Sequence, residues 1–302
     1  MWFWLALIAL LCWSGSDLFS KIGCQGEDDH LAHLKMVIAV GTVMGLHAAY
    51  EIFVGGTEIS FSIILTYLPV SLLYIGSMTL GYMGLRYIEL SVSSPICNSS
   101  GALVALMTLI FLGGEDYSPL AIGAIILVCV GAIGLGVVDA TEDPALRAAR
   151  QEQGNRKYAK SFLALALPVA YCLLDAAGTF ADNRVLETLN EASANCAYEL
   201  TFLAAAVLSF IYVVIIRKDR LVPRMEAPKF LGAICETAGQ FAYIYAIADT
   251  EHLAMSAPII SAYCAASVLW SRLFLKEKLS WKHYLMIALV VIGIVIMGVF
   301  DL

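Results

Sequence analysis

The hydrophobic positions of the chain fall into ten apolar runs of about twenty residues, separated by short polar stretches. A helix of about that length crosses the hydrocarbon core of a bilayer, so each run predicts a transmembrane helix. We therefore expect an all-α polytopic membrane protein. The predicted segments, numbered 1 to 10 in chain order, are 2–21, 34–54, 62–85, 92–112, 118–138, 160–182, 193–216, 229–250, 254–275 and 281–300.

The last five segments repeat the pattern of the first five. The run Val92–Ile96 matches Met255–Ile259, and Asp17 in segment 1 matches Asp175 in segment 6. A five-helix unit that is duplicated must lie in the membrane in two opposite orientations, which predicts inverted repeats with a binding site at their interface. The domains expected are a first five-helix repeat at 1–138, a cytoplasmic linker at 139–159 and a second repeat at 160–302.

Charge along the chain predicts the orientation. Charged residues make up 14% of the chain, against about 25% in soluble domains. Every Lys and Arg except Arg184 lies in, or at the helix ends beside, the loops that follow segments 1, 3, 5, 7 and 9. Cytoplasmic loops collect positive charge, so we predict a multi-pass protein of the inner or plasma membrane with both termini extracytoplasmic. Arg184 stands on the opposite, acidic side, which includes Asp182 and Glu187.

Sequence motifs of enzymes and metal sites are missing. We find no His-Glu-x-x-His, no Gly-x-Ser-x-Gly and no phosphate-binding loop, so we expect neither an enzyme nor an ATP-driven pump. The eight cysteines form no Cys-x-x-Cys pair and read as buried thiols. We therefore expect no cofactor, no metal and no nucleic-acid partner. An intramembrane lipid enzyme and a non-transporting receptor remain as alternative classes.

Two stretches of the repeat carry a family resemblance. In 93–136 and 256–298, a Pro-bearing helix ends in Phe-Leu and is followed by a short charged turn and a Gly-spaced helix. This pattern resembles the drug/metabolite transporter (DMT) superfamily, specifically its ten-helix EamA-type permeases. The resemblance implies a central cavity lined mainly by segments 1, 3, 4, 6, 8 and 9. Substrates across the superfamily include amino acids, organic cations, choline and nucleotide sugars. Its better-known ten-helix members have cytoplasmic termini, whereas the charges here predict the reverse.

Four carboxylates lie well inside predicted helices: Asp17, Asp175, Glu199 and Glu236. An ionised side chain near the bilayer centre costs at least about 2.5–3.5 kcal/mol, so such groups usually face a cavity and have a function. No Lys or Arg lies comparably far inside a predicted helix. We therefore expect an acidic cavity, which argues against an anionic substrate such as a nucleotide sugar.

Aromatic residues accompany these carboxylates. Trp13 precedes Asp17 by four residues and Tyr171 precedes Asp175 by four, which places each ring on the same helix face as its carboxylate. A carboxylate beside a π-face suits an ammonium group. The further candidates for substrate binding are Gln240 and Tyr243, which share a helix face with Glu236, and Tyr74, Asn98, Tyr198, Tyr263 and Trp270.

The leading hypothesis is a secondary transporter for a small organic cation or ammonium-bearing metabolite, with choline-like compounds favoured. Proton coupling would need a carboxylate that takes up a proton, and Glu236 and Asp175 are the candidates. The alternative is an exporter of amino acids or other neutral or zwitterionic metabolites, recognised by Asn98, Gln240 and tyrosines. Two fused repeats make a complete cavity, so a monomer is sufficient, with a dimer as the alternative. For His47, in segment 2, a bond to a neighbouring helix is favoured over proton relay.

Overall fold

The computed structural model describes residues 1–25, 29–86, 90–113, 118–141, 162–276 and 279–300, and the regular secondary structure in these ranges is all helical. Residues 142–159, which make up most of the predicted linker, lie outside these ranges. Short π-helical turns lie at Leu109–Gly113 and Ile211–Ile216. The α-helices are α1 (Trp2–Cys24), α2 (Ala32–Phe53), α3 (Phe61–Leu85), α4 (Leu90–Cys97), α5 (Ser100–Thr108), α6 (Pro119–Ala140), α7 (Phe162–Leu186), α8 (Glu191–Phe210), α9 (Pro223–Ile247), α10 (Leu253–Ser261), α11 (Tyr263–Phe274) and α12 (Trp281–Phe300).

Within the described ranges, seven helical stretches are long and apolar enough to cross a membrane. They correspond to predicted segments 1, 2, 3, 4, 5, 7 and 9. Helix α12 contains a shorter apolar stretch, Trp281–Met297. Helices α7 and α9 have 25 residues each, about 37 Å of helix, but charged side chains interrupt them. The structure thus shows a multi-pass, all-helical membrane protein. Asp175 and Glu236 lie in the two long helices outside the apolar set, whereas Asp17 lies in the apolar helix α1.

The helices pack in pairs that each join one helix before residue 141 to one after residue 162. The most extensive contacts are between α1 and α9, α2 and α8, α6 and α12, and α3 and α7. Large apolar side chains such as Trp4, Leu72 and Leu208 remain exposed on the outside of the bundle. An apolar exterior of this extent is expected for a surface that contacts lipid.

Segments 4 and 9 are each broken near their middle. The first break, at Asn98 and Ser99, separates α4 from α5, and the second, at Ala262, separates α10 from α11. Pro95 and Pro258 lie one turn before these breaks, inside α4 and α10, where proline removes a backbone donor and crowds the preceding turn. A break inside a membrane-spanning helix is tolerated where the freed backbone groups line a cavity or are covered by protein.

The two ends of the bundle have different chemistry. At one end, Lys35 and Lys229 are buried and form ion pairs of 3.0 Å with Asp29 and 2.9 Å with Glu226, respectively. We call this the Lys35 end. At the other, the Trp2 end, the ring of Trp2 stacks on His252 at a centroid distance of 4.9 Å.

Candidate functional site

A central cavity lies among α1, α3, α4, α5, α7, α8, α9, α10 and α11, and most of the residues singled out from sequence line it. Both broken helices contribute to its wall. Gly101 near the start of α5 and Ser261 at the end of α10 approach so closely that a Cβ on Gly101 would stand 2.5 Å from Ser261 Cβ. The predicted residues that line the cavity are Trp13, Asp17, Tyr74, Asn98, Tyr171, Asp175, Tyr198, Glu236, Gln240, Tyr243 and Tyr263.

Three carboxylates stand in the cavity wall, on three different helices. Asp17 on α1 accepts hydrogen bonds through Oδ2 from the hydroxyls of Ser94 on α4, at 2.5 Å, and Ser267 on α11, at 2.7 Å. Asp175 on α7 accepts a bond of 2.7 Å through Oδ2 from Ser100 on α5. These serines fix the direction of each carboxylate.

Glu236 on α9 is the third carboxylate, and its side chain is 9% exposed. Its backbone carbonyl accepts a bond of 3.3 Å from the indole nitrogen of Trp13. Among the described residues, no Lys or Arg lines the cavity, although Lys21 lies one turn beyond Asp17. The ammonium of Lys21 donates to the backbone carbonyl of Leu85 at 3.1 Å. Among the residues that the structure describes, the cavity wall is therefore acidic and carries no cationic side chain.

Aromatic rings surround these acids. The ring of Trp13 lies 4.9 Å from that of Tyr243 and 5.8 Å from that of Tyr263, measured between centroids. Tyr74 packs edge-on against Tyr198 at 5.8 Å and against Tyr243 at 6.3 Å. Such edge-to-face contacts hold the rings in fixed orientations. A cation inside the cavity would meet carboxylates and π-faces together.

Glycines on opposing helices make room for two of these rings. A Cβ on Gly239 of α9 would lie 2.4 Å from Cδ1 of Trp13, and a Cβ on Gly81 of α3 would lie 2.9 Å from Cδ2 of Tyr171. Both distances are below any normal carbon contact, so only glycine fits. Trp13 and Tyr171, the aromatic partners of the two repeat-related aspartates, therefore each pack against a glycine from the other half of the chain.

A second polar cluster lies beside the cavity, towards the Trp2 end. The carboxylate of Asp182 accepts hydrogen bonds from Tyr67 at 2.7 Å and from Tyr74 at 3.4 Å. Tyr74 also shares a hydroxyl–hydroxyl bond with Tyr243, which donates to Thr179 at 3.1 Å. These bonds tie α3, α7 and α9 together.

The sequence analysis counted Asp182 among the acids of the side opposite the Lys- and Arg-rich loops, whereas the structure buries this residue. Its relative exposure is 0%, because the tyrosines of α3 cover it. Neither the charge count nor the spacing of residues identified Tyr67, Thr179 or Asp182 as one cluster. The available signal was the pair Asp175 and Asp182, seven residues or two turns apart, which places both on one face of α7.

Two predicted residues lie elsewhere than the cavity wall. Glu199 on α8 is fully buried and faces α2, where its carboxylate contacts His47 Nδ1 at 2.8 Å and accepts a bond of 3.2 Å from Asn195. His47 is thus bonded to a neighbouring helix, as the sequence analysis favours. The indole nitrogen of Trp270 donates to Ser14 Oγ at 3.0 Å, which joins α11 to α1. Neither side chain is among the described residues that line the cavity.

Comparisons with known proteins agree with this architecture. The family model of the UAA transporter family matches residues 37–299. A crystal structure of a protein superposes with a TM-score of 0.62 at 17% sequence identity, covering 98% of this chain and 96% of the other. At that identity the likeness concerns the fold alone. A search of curated proteins gave no match. The family is a member of the DMT superfamily, which confirms the superfamily that the sequence resembles.

Proposed function

Because the chain belongs to the UAA transporter family, and is therefore a transporter and not an enzyme, we propose that it is a secondary transporter of a small organic cation. The substrate carries an ammonium group, and choline-like compounds fit best. The observation that carries the proposal is the composition of the cavity wall. Asp17, Asp175 and Glu236 stand there among aromatic rings, and none of the described lining residues is a Lys or Arg.

Electrostatics favour a cation in this cavity. Charges that are shielded from water interact more strongly than in bulk solvent, so three carboxylates attract a cation and repel an anion. Contact between an ammonium group and an aromatic face adds about 0.5–2 kcal/mol. Trp13, Tyr171 and Tyr263 offer such faces beside the carboxylates.

The matched family model is of the nucleotide-sugar type, which makes an anionic substrate the sharpest contrast to this proposal. The diphosphate of a nucleotide sugar is commonly bound by cationic side chains, and the bidentate geometry of arginine suits it especially well. The cavity provides none among its described residues, and Lys21 already donates to the carbonyl of Leu85. The alternative of a neutral or zwitterionic metabolite rests on Asn98 and Gln240 in the same wall.

We extend the proposal to proton exchange and to membrane orientation. Protons and a substrate cation would compete for Glu236 and Asp175, which gives a simple coupling mechanism. The ten-helix inverted repeat is supported by the pairing of helices across the two halves and by the equivalent breaks in segments 4 and 9. The distribution of Lys and Arg supports both termini on the outside of the inner or plasma membrane. One chain contains the whole cavity, so a monomer is sufficient.

Thermal unfolding of the purified protein in the presence of ligands tests the substrate class. A ligand that binds only the folded state raises Tm according to its concentration over Kd. The panel is choline, a neutral amino acid and a nucleotide sugar, each at pH 6 and pH 8. We expect stabilisation by choline alone, larger at pH 8 because fewer protons compete. Stabilisation by the nucleotide sugar and not by choline would overturn the proposal.

A further inference from the structure

Two hydrogen-bond donors in the cavity wall have no partner. The hydroxyl of Tyr82 on α3 and the amide nitrogen Nε2 of Gln240 on α9 are buried, in side chains that are 6% and 2% exposed. Neither atom contacts an acceptor anywhere in the part of the chain that the structure describes. Both residues line the same cavity as Glu236.

The remaining polar groups of the wall are largely satisfied. Asp17 and Asp175 accept bonds from serines, Tyr74 and Tyr243 bond to each other, and the amide of Asn98 donates to the carbonyl of Ser94 at 2.8 Å. Burying a polar group without a hydrogen bond costs free energy, and native proteins retain few such groups. Two buried, unpaired donors in a cavity whose other buried polar groups are largely bonded therefore indicate acceptor groups that the protein receives from outside.

We propose that Tyr82 and Gln240 recognise a neutral hydrogen-bond acceptor on the substrate, a hydroxyl or carbonyl oxygen carried by the same molecule as the ammonium group. This inference rests on the proposed function and narrows its substrate class. It separates ammonium compounds with an oxygen a few bonds away from purely alkyl ammonium ions.

The charges of the wall favour a neutral acceptor over a carboxylate. A carboxylate on the substrate would bring negative charge beside Asp17, Asp175 and Glu236. None of the described lining residues is a cation that could compensate it. Tyr82 and Gln240 are uncharged donors, which suit an uncharged oxygen. Gln240 follows Glu236 by one turn of α9, a rise of about 6 Å, so the cation and oxygen sites lie within reach of one small molecule.

A matched pair of ligands tests this assignment. Choline and propyltrimethylammonium carry the same quaternary ammonium and differ by a hydroxyl in place of a methyl group. We would measure the Kd of both by isothermal titration calorimetry, with purified wild-type protein and with Tyr82→Phe, Gln240→Leu and Tyr50→Phe. Tyr50 is an exposed tyrosine outside the cavity wall and serves as the control.

We expect wild type and Tyr50→Phe to bind choline about 5–10-fold more tightly than propyltrimethylammonium, because one hydrogen bond contributes about that much. Tyr82→Phe and Gln240→Leu each lose most of this preference through a weaker Kd for choline, while the Kd for propyltrimethylammonium stays within twofold. Tyr82→Phe removes one oxygen atom only, so it keeps the test decisive if Gln240→Leu fails to fold.

The outcomes separate the two proposals. Equal affinity of the wild type for both ligands, or full preference in both variants, would overturn the assignment of Tyr82 and Gln240 and leave the cation site standing. Absence of binding by either quaternary ammonium would overturn the proposed function itself. A preference for a zwitterion such as betaine over choline would show that the acceptor is a carboxylate, and the neutral-oxygen assignment would then be wrong.

Discussion

The indole ring of Trp13 lies against the bare backbone of Gly239, where an added Cβ would stand 2.4 Å from Cδ1 of the ring. This contact joins α1 to α9 across the two halves of the chain, at a ring that also contacts Tyr243 and Tyr263. The position of Trp13 in the cavity therefore depends on the absence of a side chain at residue 239.

Replacing Gly239 with alanine should displace the indole and weaken cation binding. Trp13 would lose its place against α9 and with it a cation–π contact of about 0.5–2 kcal/mol, so we expect the Kd for choline to rise about 2–30-fold and Tm to fall. Gly123→Ala is the matched control, since nothing lies within 4 Å of a Cβ built there. Alanine is favoured over glycine in a helix by roughly 0.5–1 kcal/mol, so this control should leave Tm unchanged or raised. Equal Kd values for both variants would refute the role of Gly239.

The hydrogen bonds to Asp182 should contribute to stability. Tyr67→Phe removes the hydroxyl that donates to this buried carboxylate at 2.7 Å. Hydrogen bonds between membrane helices contribute about 0.6–1.7 kcal/mol, so we expect a lower Tm of the purified protein by a few degrees. Tyr50→Phe makes the same chemical change at an exposed position and should have no effect. A Tyr67→Phe protein as stable as wild type would show that the cluster does not hold α3 to α7.

Neutralising Glu199 should affect stability and not binding. Its carboxylate contacts His47 on α2 and lies outside the described cavity wall. Glu199→Gln keeps the shape of the side chain and removes the charge beside His47, so we expect a lower Tm with the Kd for choline within twofold of wild type. Calorimetry on the same preparation measures the Kd. A loss of choline binding without a change in Tm would contradict this prediction and show that Glu199 takes part in substrate binding.

The sequence predicted the helical segments and the acidic, aromatic character of the cavity from local patterns. Four-residue spacing placed Trp13 beside Asp17 and Tyr171 beside Asp175, and all four line the cavity. Spacing within one helix cannot say which other helix lies opposite. For that reason Glu199, which pairs with His47, and Asp182, which is covered by Tyr67, could not be assigned from sequence.

The breaks in segments 4 and 9 also could not be predicted from the sequence. Pro95 and Pro258 near the predicted helix starts suggest only how each helix begins, because proline is tolerated in a first turn. In the structure α4 and α10 begin earlier, so the prolines fall inside them and the breaks follow within a turn. Helix boundaries depend on the packing of neighbouring helices, which a single sequence does not contain.

The most direct test of the account is the uptake of labelled choline into proteoliposomes that contain wild-type protein, Asp175→Asn, Glu236→Gln or Glu187→Gln. Glu187 is an exposed acid paired with Arg184 and serves as the control for loss of one negative charge. We expect choline uptake by wild type and Glu187→Gln, and at least about tenfold less by each cavity variant, because a desolvated cation would lose a carboxylate partner. Uptake by Asp175→Asn and Glu236→Gln at the wild-type rate would contradict the acidic site.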